Sequence, residues 1–149
     1  MNSANRDSFT AAALRAVTRA HEAATMFGSP VLGTEYLLFG LAGGDDGTAA
    51  ALTAAVDQAA LKARLGTVTA PPSEVMTFTP ASKDAIRLAF SEAGKLDHAF
   101  IGTAHLALGI VDADPFPLAE GVGVEQLRAQ LEANARAEAA AMPPRPEGP

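Results

Sequence analysis

The chain has 149 residues with a hydrophobic fraction of 48% and no Cys, enough for one domain with its own core and without disulfides or thiolate chemistry. Eleven Lys and Arg against 17 Asp and Glu give a net charge of −6 and a pI near 4.9. Nucleic acid and anionic membrane surfaces are therefore excluded as expected partners, since phosphate binding needs a basic face. No apolar run approaches the roughly 18 residues of a membrane span, and the N-terminus lacks a signal peptide's apolar segment, so the expectation is a cytoplasmic monomer without a cofactor.

The alanine-rich, tryptophan-free composition favours packed helices, and every element reads as helix. Residues 1–7 are expected to be disordered. A first helix starts at the N-cap candidate Thr10 and runs to about Phe27, with Phe9, Ala13, Ala16, Ala20, Ala24 and Phe27 on one face. Gly28-Ser29-Pro30 ends it. Thr34 is expected to cap a short helix over about 35–42, whose Leu37, Leu38 and Leu41 face the core. After the turn Gly43-Gly44-Asp45-Asp46-Gly47, a third helix covers about 48–56, and Asp57 caps a fourth to about Leu65. Residues 67–77, with Pro71-Pro72, read as a linker. Thr79 caps the next long helix with Pro80 at its first position, and this helix runs to about Leu96. Thr103 opens another, and a last helix spans about 124–140. Pro115-Phe116-Pro117 falls where the first copy has its third helix, so that helix should be shortened or displaced here, and the tail 141–149 is expected to be disordered.

These elements occur twice. At an offset of 69, Phe9-Thr10 recurs as Phe78-Thr79 and Leu32-Gly33-Thr34 as Ile101-Gly102-Thr103. The offset also aligns Ala16 with Ala85, Ala20 with Ala89, Ala24 with Ala93 and Gly40 with Gly109. It drops to 66 for Leu52 with Leu118, Val56 with Val122, Leu61 with Leu127 and Leu65 with Leu131. Two repeats, 8–66 and 78–140, should bury their apolar faces against each other, with the alanine stripes at the closest helix contacts.

The stretches FTAAALRAVTRAHEAATMFGSPVLGTEYLLFGL and FTPASKDAIRLAFSEAGKLDHAFIGTAHLALGI resemble the tandem pattern of the N-terminal domain of ClpA/ClpC-type unfoldases, the Clp repeat domain. The resemblance covers about residues 8–138, and the Pro after the second Phe-Thr is closest to the ClpC branch. It implies an all-α fold of two pseudo-twofold four-helix repeats. It also implies a module that binds protein or peptide segments in Clp unfoldase substrate recognition, as adaptor or competitor. No G-x-x-x-x-G-K-[ST] loop occurs in the chain, so it offers no phosphate cradle for ATP, and no enzyme activity is expected.

Other chemistry finds little support. His21, His98 and His105 stand at no metal-ligand spacing, and His105 reads as a hydrogen-bonded structural residue. Asp45-Asp46 sits in a loop too short for an EF-hand and reads as a pair of solvated turn carboxylates. In the ClpC branch, each GTEH glutamate is understood to face the opposite repeat's Phe-Thr and to read phosphorylated arginine. Carried over, one such site comprises Glu35, Thr79 and Lys83. The physics fits: a helix start favours phosphate and a carboxylate takes the guanidinium. An acid in a helix's first turn also stabilises the dipole without any ligand, and Thr79 can be a plain N-cap. The second site has Thr10 but Ala104 in place of the acid, and is expected to be defective. The resemblance also implies an apolar patch over Val17, Thr18, Phe78, Lys83 and Arg87, where antibiotics of the cyclic peptide class dock on actinobacterial ClpC. That patch supports an alternative role, sequestering such peptides, although Phe78 can equally serve as a hydrophobic staple under the following helix.

Overall fold

The computed structural model describes residues 9–66, 77–114 and 116–141. The expectations for residues 1–7, for the linker up to residue 76 and for the tail beyond 141 lie outside the described residues, as does Pro115. Seven helices are described: α1 Ala11–Met26, α2 Thr34–Ala42, α3 Gly47–Ala55, α4 Gln58–Arg64, α5 Pro80–Lys95, α6 Thr103–Ala113 and α7 Val124–Ala141. Two short strands, β1 Val31–Leu32 and β2 Thr77–Phe78, complete the set.

The repeat is visible residue by residue. Thr10 and Thr79 cap α1 and α5 with the same backbone angles, φ −68° and ψ 161°, each hydroxyl accepting the N–H three residues on. This satisfies one of the donors a helix start leaves unpaired. Both helices close in the same manner. Gly28 N–H donates to the Thr25 carbonyl and Ser29 N–H to that of Ala24, and Asp97 and His98 repeat the pair on Gly94 and Ala93. The left-handed residue this closure needs is Gly28 (φ 72°) in the first copy and Asp97 (φ 57°) in the second. The stop is therefore set by the Schellman closure at Gly28, ahead of the Pro30 expected to end it.

The alanine stripes do what their spacing predicts: Ala16, Ala20, Ala24, Ala85, Ala89 and Ala93 are all buried. Phe27, placed on the same face, is 41% exposed, because α1 ends at Met26 and the face turns out to solvent. Across the stripes lie Gly40 of α2 and Gly109 of α6. A Cβ on Gly40 would collide with the backbone carbonyl of Ala16, and one on Gly109 with that of Ala85. The two long helices thus touch their short partners almost backbone to backbone, and only glycine fits.

Two expectations are corrected. Thr34 does not cap α2; Gly33 is the N-cap residue and Thr34 lies inside the helix, buried. Its hydroxyl donates instead to Asp114 at the end of α6. Thr103 mirrors this by donating to Asp46 beyond the end of α2, at 2.8 Å. The second copy also holds three described helices in place of four. Where α3 would recur, an extended segment lies against the end of α3 itself: Leu118 bridges Val56, Asp57 N–H donates to Pro117 and Ala119 N–H to Ala55. Prolines at 115 and 117 remove donors and restrict the residues before them, so a helix gives way to extended chain.

A charged cluster ties α7 to the rest. Glu92 of α5 is buried, with Arg128 of α7 at 2.6 Å, and Arg128 also reaches Asp112 of α6 at 3.0 Å. Burial alone would raise the Glu92 pKa, but the Arg128 guanidinium and Lys95 outweigh it and hold the carboxyl below its ordinary value.

Enlarging Gly40 or Gly109 to Ala is expected to destabilise the fold by about 1–3 kcal/mol, as overpacking does. Chemical denaturation of the two variants checks this. Unchanged stability at both positions would show that the helices can separate freely, contrary to the contact described.

Candidate functional site

The two copies are stitched together by their shortest elements. Val31 pairs with Thr77 and Leu32 with Phe78 in parallel register, and Phe9 pairs with Ile101 in the same sense. Thr79 N–H donates to the Leu32 carbonyl at 3.2 Å, and Thr10 N–H to that of Ile101 at 2.9 Å. Each Phe-Thr segment is thereby held on the Leu/Ile-Gly-Thr segment of the other copy. The N-terminus of α5 is brought beside that of α2, and the N-terminus of α1 beside that of α6. These are the two places the sequence singled out.

At the first place, Glu35 is the second residue of α2 and its carboxylate curls back over the Gly33 N-cap. Among the described residues no hydrogen bond or ion pair engages that carboxylate. Thr79 is the N-cap of α5, and its hydroxyl is in use: it accepts Ser82 N–H at 3.2 Å and donates to Ser82 Oγ at 3.1 Å. Ser82 in turn donates to the Leu32 carbonyl at 2.9 Å and is buried, so one serine ties both helix starts together. Lys83 lies one turn into α5, exposed. The register sets the starts of α2 and α5 side by side, and among the described residues no hydrogen bond or ion pair joins Glu35 to Thr79 or Lys83.

The second place is built differently. Thr10 caps α1 through Ala13 N–H at 3.1 Å. Ala104 is fully buried, and its N–H is not left open: Glu138 Oε1 of α7 accepts it at 3.0 Å, with the Thr103 hydroxyl oxygen 3.2 Å from the same atom. Thr48 Oγ1 lies 3.5 Å from the same oxygen. Burial pushes the Glu138 carboxyl above its ordinary pKa and Asp46 adds to the rise, while the bonds from Ala104 and Thr103 work against it. Sequence reasoning saw the acid missing at 104 and overlooked the one supplied from 138. A signal existed: Leu127, Leu131 and Ala135 form the buried stripe of α7, and Glu138 continues that spacing, a charge on the core-facing side.

Asp46 is also corrected. It is no solvated turn carboxylate: Oδ1 caps α3 through Ala49 N–H at 2.9 Å and Oδ2 accepts from Thr103. His105 is the structural residue expected, fully buried, with Nδ1 accepting Gly102 N–H at 2.9 Å and Nε2 lying 3.0 Å from His98 Nδ1. The Gly102 bond fixes His105 as the Nε2–H tautomer, which donates to His98.

The apolar candidates lie on α1, β2 and α5. Val17 lines a cavity of about 10 Å³ between the copies, with Ile86 opposite, too small for a ligand. Phe78 is half-buried against the core. Thr18 and Arg87 are exposed, the first donating to the Leu14 carbonyl and the second within 3.7 Å of Asp84. A wider groove of about 480 Å³, which sequence reasoning did not anticipate, runs between α3 and α7 over Ala50, Ala54, Leu127 and Gln130.

Residues 8–114 match the family described as the Clp repeat (R) N-terminal domain. Over 109 residues, 69% of this chain, the sequence is 33% identical to the ATP-dependent Clp protease ATP-binding subunit ClpA homolog of Porphyra purpurea. Over the same length it is 32% identical to the negative regulator of genetic competence ClpC/MecB of Bacillus subtilis. In both cases the match spans 13% of the relative's length. Among solved structures, the N-terminal domain of the chaperone ClpD from Arabidopsis thaliana superposes with a TM-score of 0.70 at 19% identity, covering 91% of this chain and 99% of that one. The ClpV N-domain, solved with a VipB peptide, gives 0.62 at 18% identity, covering 86% and 89%.

His105 predicts a pH dependence. Burial, reinforced by His98, lowers its pKa from 6.5 to about 4, against a smaller opposing pull from Glu92. The unfolded chain thus takes up a proton that the folded chain refuses. The contribution of neutral His105 is whole above pH 6.5 and is lost as pH falls towards 4, at up to about 1.4 kcal/mol per pH unit. Urea denaturation across this window should show stability falling with pH, with a flatter slope in His105→Gln. Equal slopes would refute the assignment.

Proposed function

Since this chain belongs to the Clp repeat N-terminal domain family, we propose that it is a non-catalytic module that binds segments of other proteins. It acts as adaptor or competitor in substrate recognition by Clp unfoldases, and it reads phosphorylated arginine on the edge formed by Glu35, Thr79 and Lys83. The observation that supports this reading is the pairing of Leu32 with Phe78, which sets the starts of α2 and α5 side by side under a carboxylate with no partner among the described residues.

The chemistry divides between the two helices. The Glu35 carboxylate takes the guanidinium in a charge-assisted pair. The phosphate lies towards α5, where the helix dipole and the Lys83 ammonium favour it. Backbone donors are few there. Pro80 has no N–H, Ser82 N–H is taken by Thr79 and Lys83 N–H by the Thr79 carbonyl. Ala81 N–H is the donor left in the first turn, so the lysine carries much of the phosphate's charge, and a surface-exposed ammonium does so with salt sensitivity.

Calorimetry with free phosphoarginine is expected to find one site per chain, with unmodified arginine binding far more weakly. Loss of a charge-assisted bond is worth about 1.5–3 kcal/mol, so Glu35→Ala should weaken binding roughly ten- to a hundredfold, and raised salt should weaken it further. Binding indifferent to Glu35→Ala would sink this reading. It would shift the weight to Val17, Thr18, Phe78, Lys83 and Arg87 and to the capture of cyclic peptides.

A further inference from the structure

The two helix starts that face the opposite copy's Phe-Thr are not equivalent. At α2 the carboxylate comes from the helix's own second residue, Glu35, and stays without a partner among the described residues. At α6 the same position is Ala104, and the carboxylate arrives from α7, 34 residues downstream, as Glu138. It lies against Gly102, so close that a Cβ there would collide with Oε2, just as the Glu35 carboxylate lies against Gly33. Its Oε1 accepts Ala104 N–H at 3.0 Å, and the Thr103 and Thr48 hydroxyl oxygens lie 3.2 and 3.5 Å from it. Asp46, on the loop before α3, accepts from the same Thr103 hydroxyl, so a further anion arriving here would meet two carboxylates.

We infer that Glu138 is a built-in anion that occupies the start of α6 and closes it to external anionic ligands, making the module one-sided. Ala104 is then not simply a lost acid. A glutamate at 104 and Glu138 would compete for one helix start, and small, buried Ala104 is the residue that leaves room for the carboxylate from α7. The inference rests on the proposed reading only in identifying the other start as the working one; the closure itself stands on the contacts of Glu138.

Inorganic phosphate is the probe, followed by amide NMR on the full chain. In the parent protein, the Thr103 and Ala104 amides are expected to stay still as phosphate is added. In Glu138→Ala they should shift with saturation, and in Glu138→Gln, which keeps a side chain of the same length in place, they should again stay still. Movement in the parent, or none in Glu138→Ala, overturns the closure. Should Glu138→Ala fail to fold, Glu138→Gln and Ala104→Glu are compared singly and together by urea midpoint. Ala104→Glu should lower the midpoint less in the Glu138→Gln background, where one of the two competing charges is gone, and additive shifts overturn the inference. Neither result depends on phosphoarginine, so a failure of the site at Glu35 is read separately.

Discussion

Two backbone hydrogen bonds organise this molecule, Thr79 N–H to Leu32 and Thr10 N–H to Ile101. Each joins the opening of one copy to the middle of the other, so neither copy completes its own surface. Helix starts, with their exposed donors and positive dipole ends, are thereby gathered in pairs. The site proposed at Glu35 and the closure proposed at Glu138 each stand on one of these pairs. The threonine hydroxyls reinforce the exchange, Thr34 bonding to Asp114 and Thr103 to Asp46.

The duplicated backbone has been put to unlike uses. In the first copy the second residue of α2 is acidic and carries its own carboxylate. In the second, the acid sits on α7, and the neighbouring His98–His105 pair and the Glu92–Arg128 contact bind the same region more firmly. Polar groups are concentrated on the side where α5, α6 and α7 meet. Paired polar groups in a buried interface rigidify it, although among the described residues Arg128 Nη1 there has no hydrogen-bond partner.

Much of this was legible in the chain. Thr10, Thr79 and Asp57 announce helix starts because a short oxygen side chain before an apolar run has a local partner three residues on, and all three make that bond. The alanine stripes were legible because their spacing matches the helical period. The paired strands were not: two residues are too few to show alternation, and their partners lie 46 and 92 residues away. Thr34 misled for a physical reason, and Thr103, which does open α6, shows the same local arrangement. Each follows a glycine that takes the cap position, and each finds a partner across the molecule in place of its own backbone. Glu138 escaped because an acid in a polar, exposed-looking helix resembles any other until the buried stripe is extended to meet it.

The pairing of Phe9 with Ile101 also bears on synthesis. A ribosome adding about 5–20 residues per second makes residue 101 roughly 5–18 seconds after residue 9. Until residue 90 has been made, the Phe9 ring, which ends packed edge-on against Phe90 at 5.8 Å, has neither of these two partners. The Phe9 segment is thus made well before the residues it pairs with, and it finds its place only when the second copy has been made.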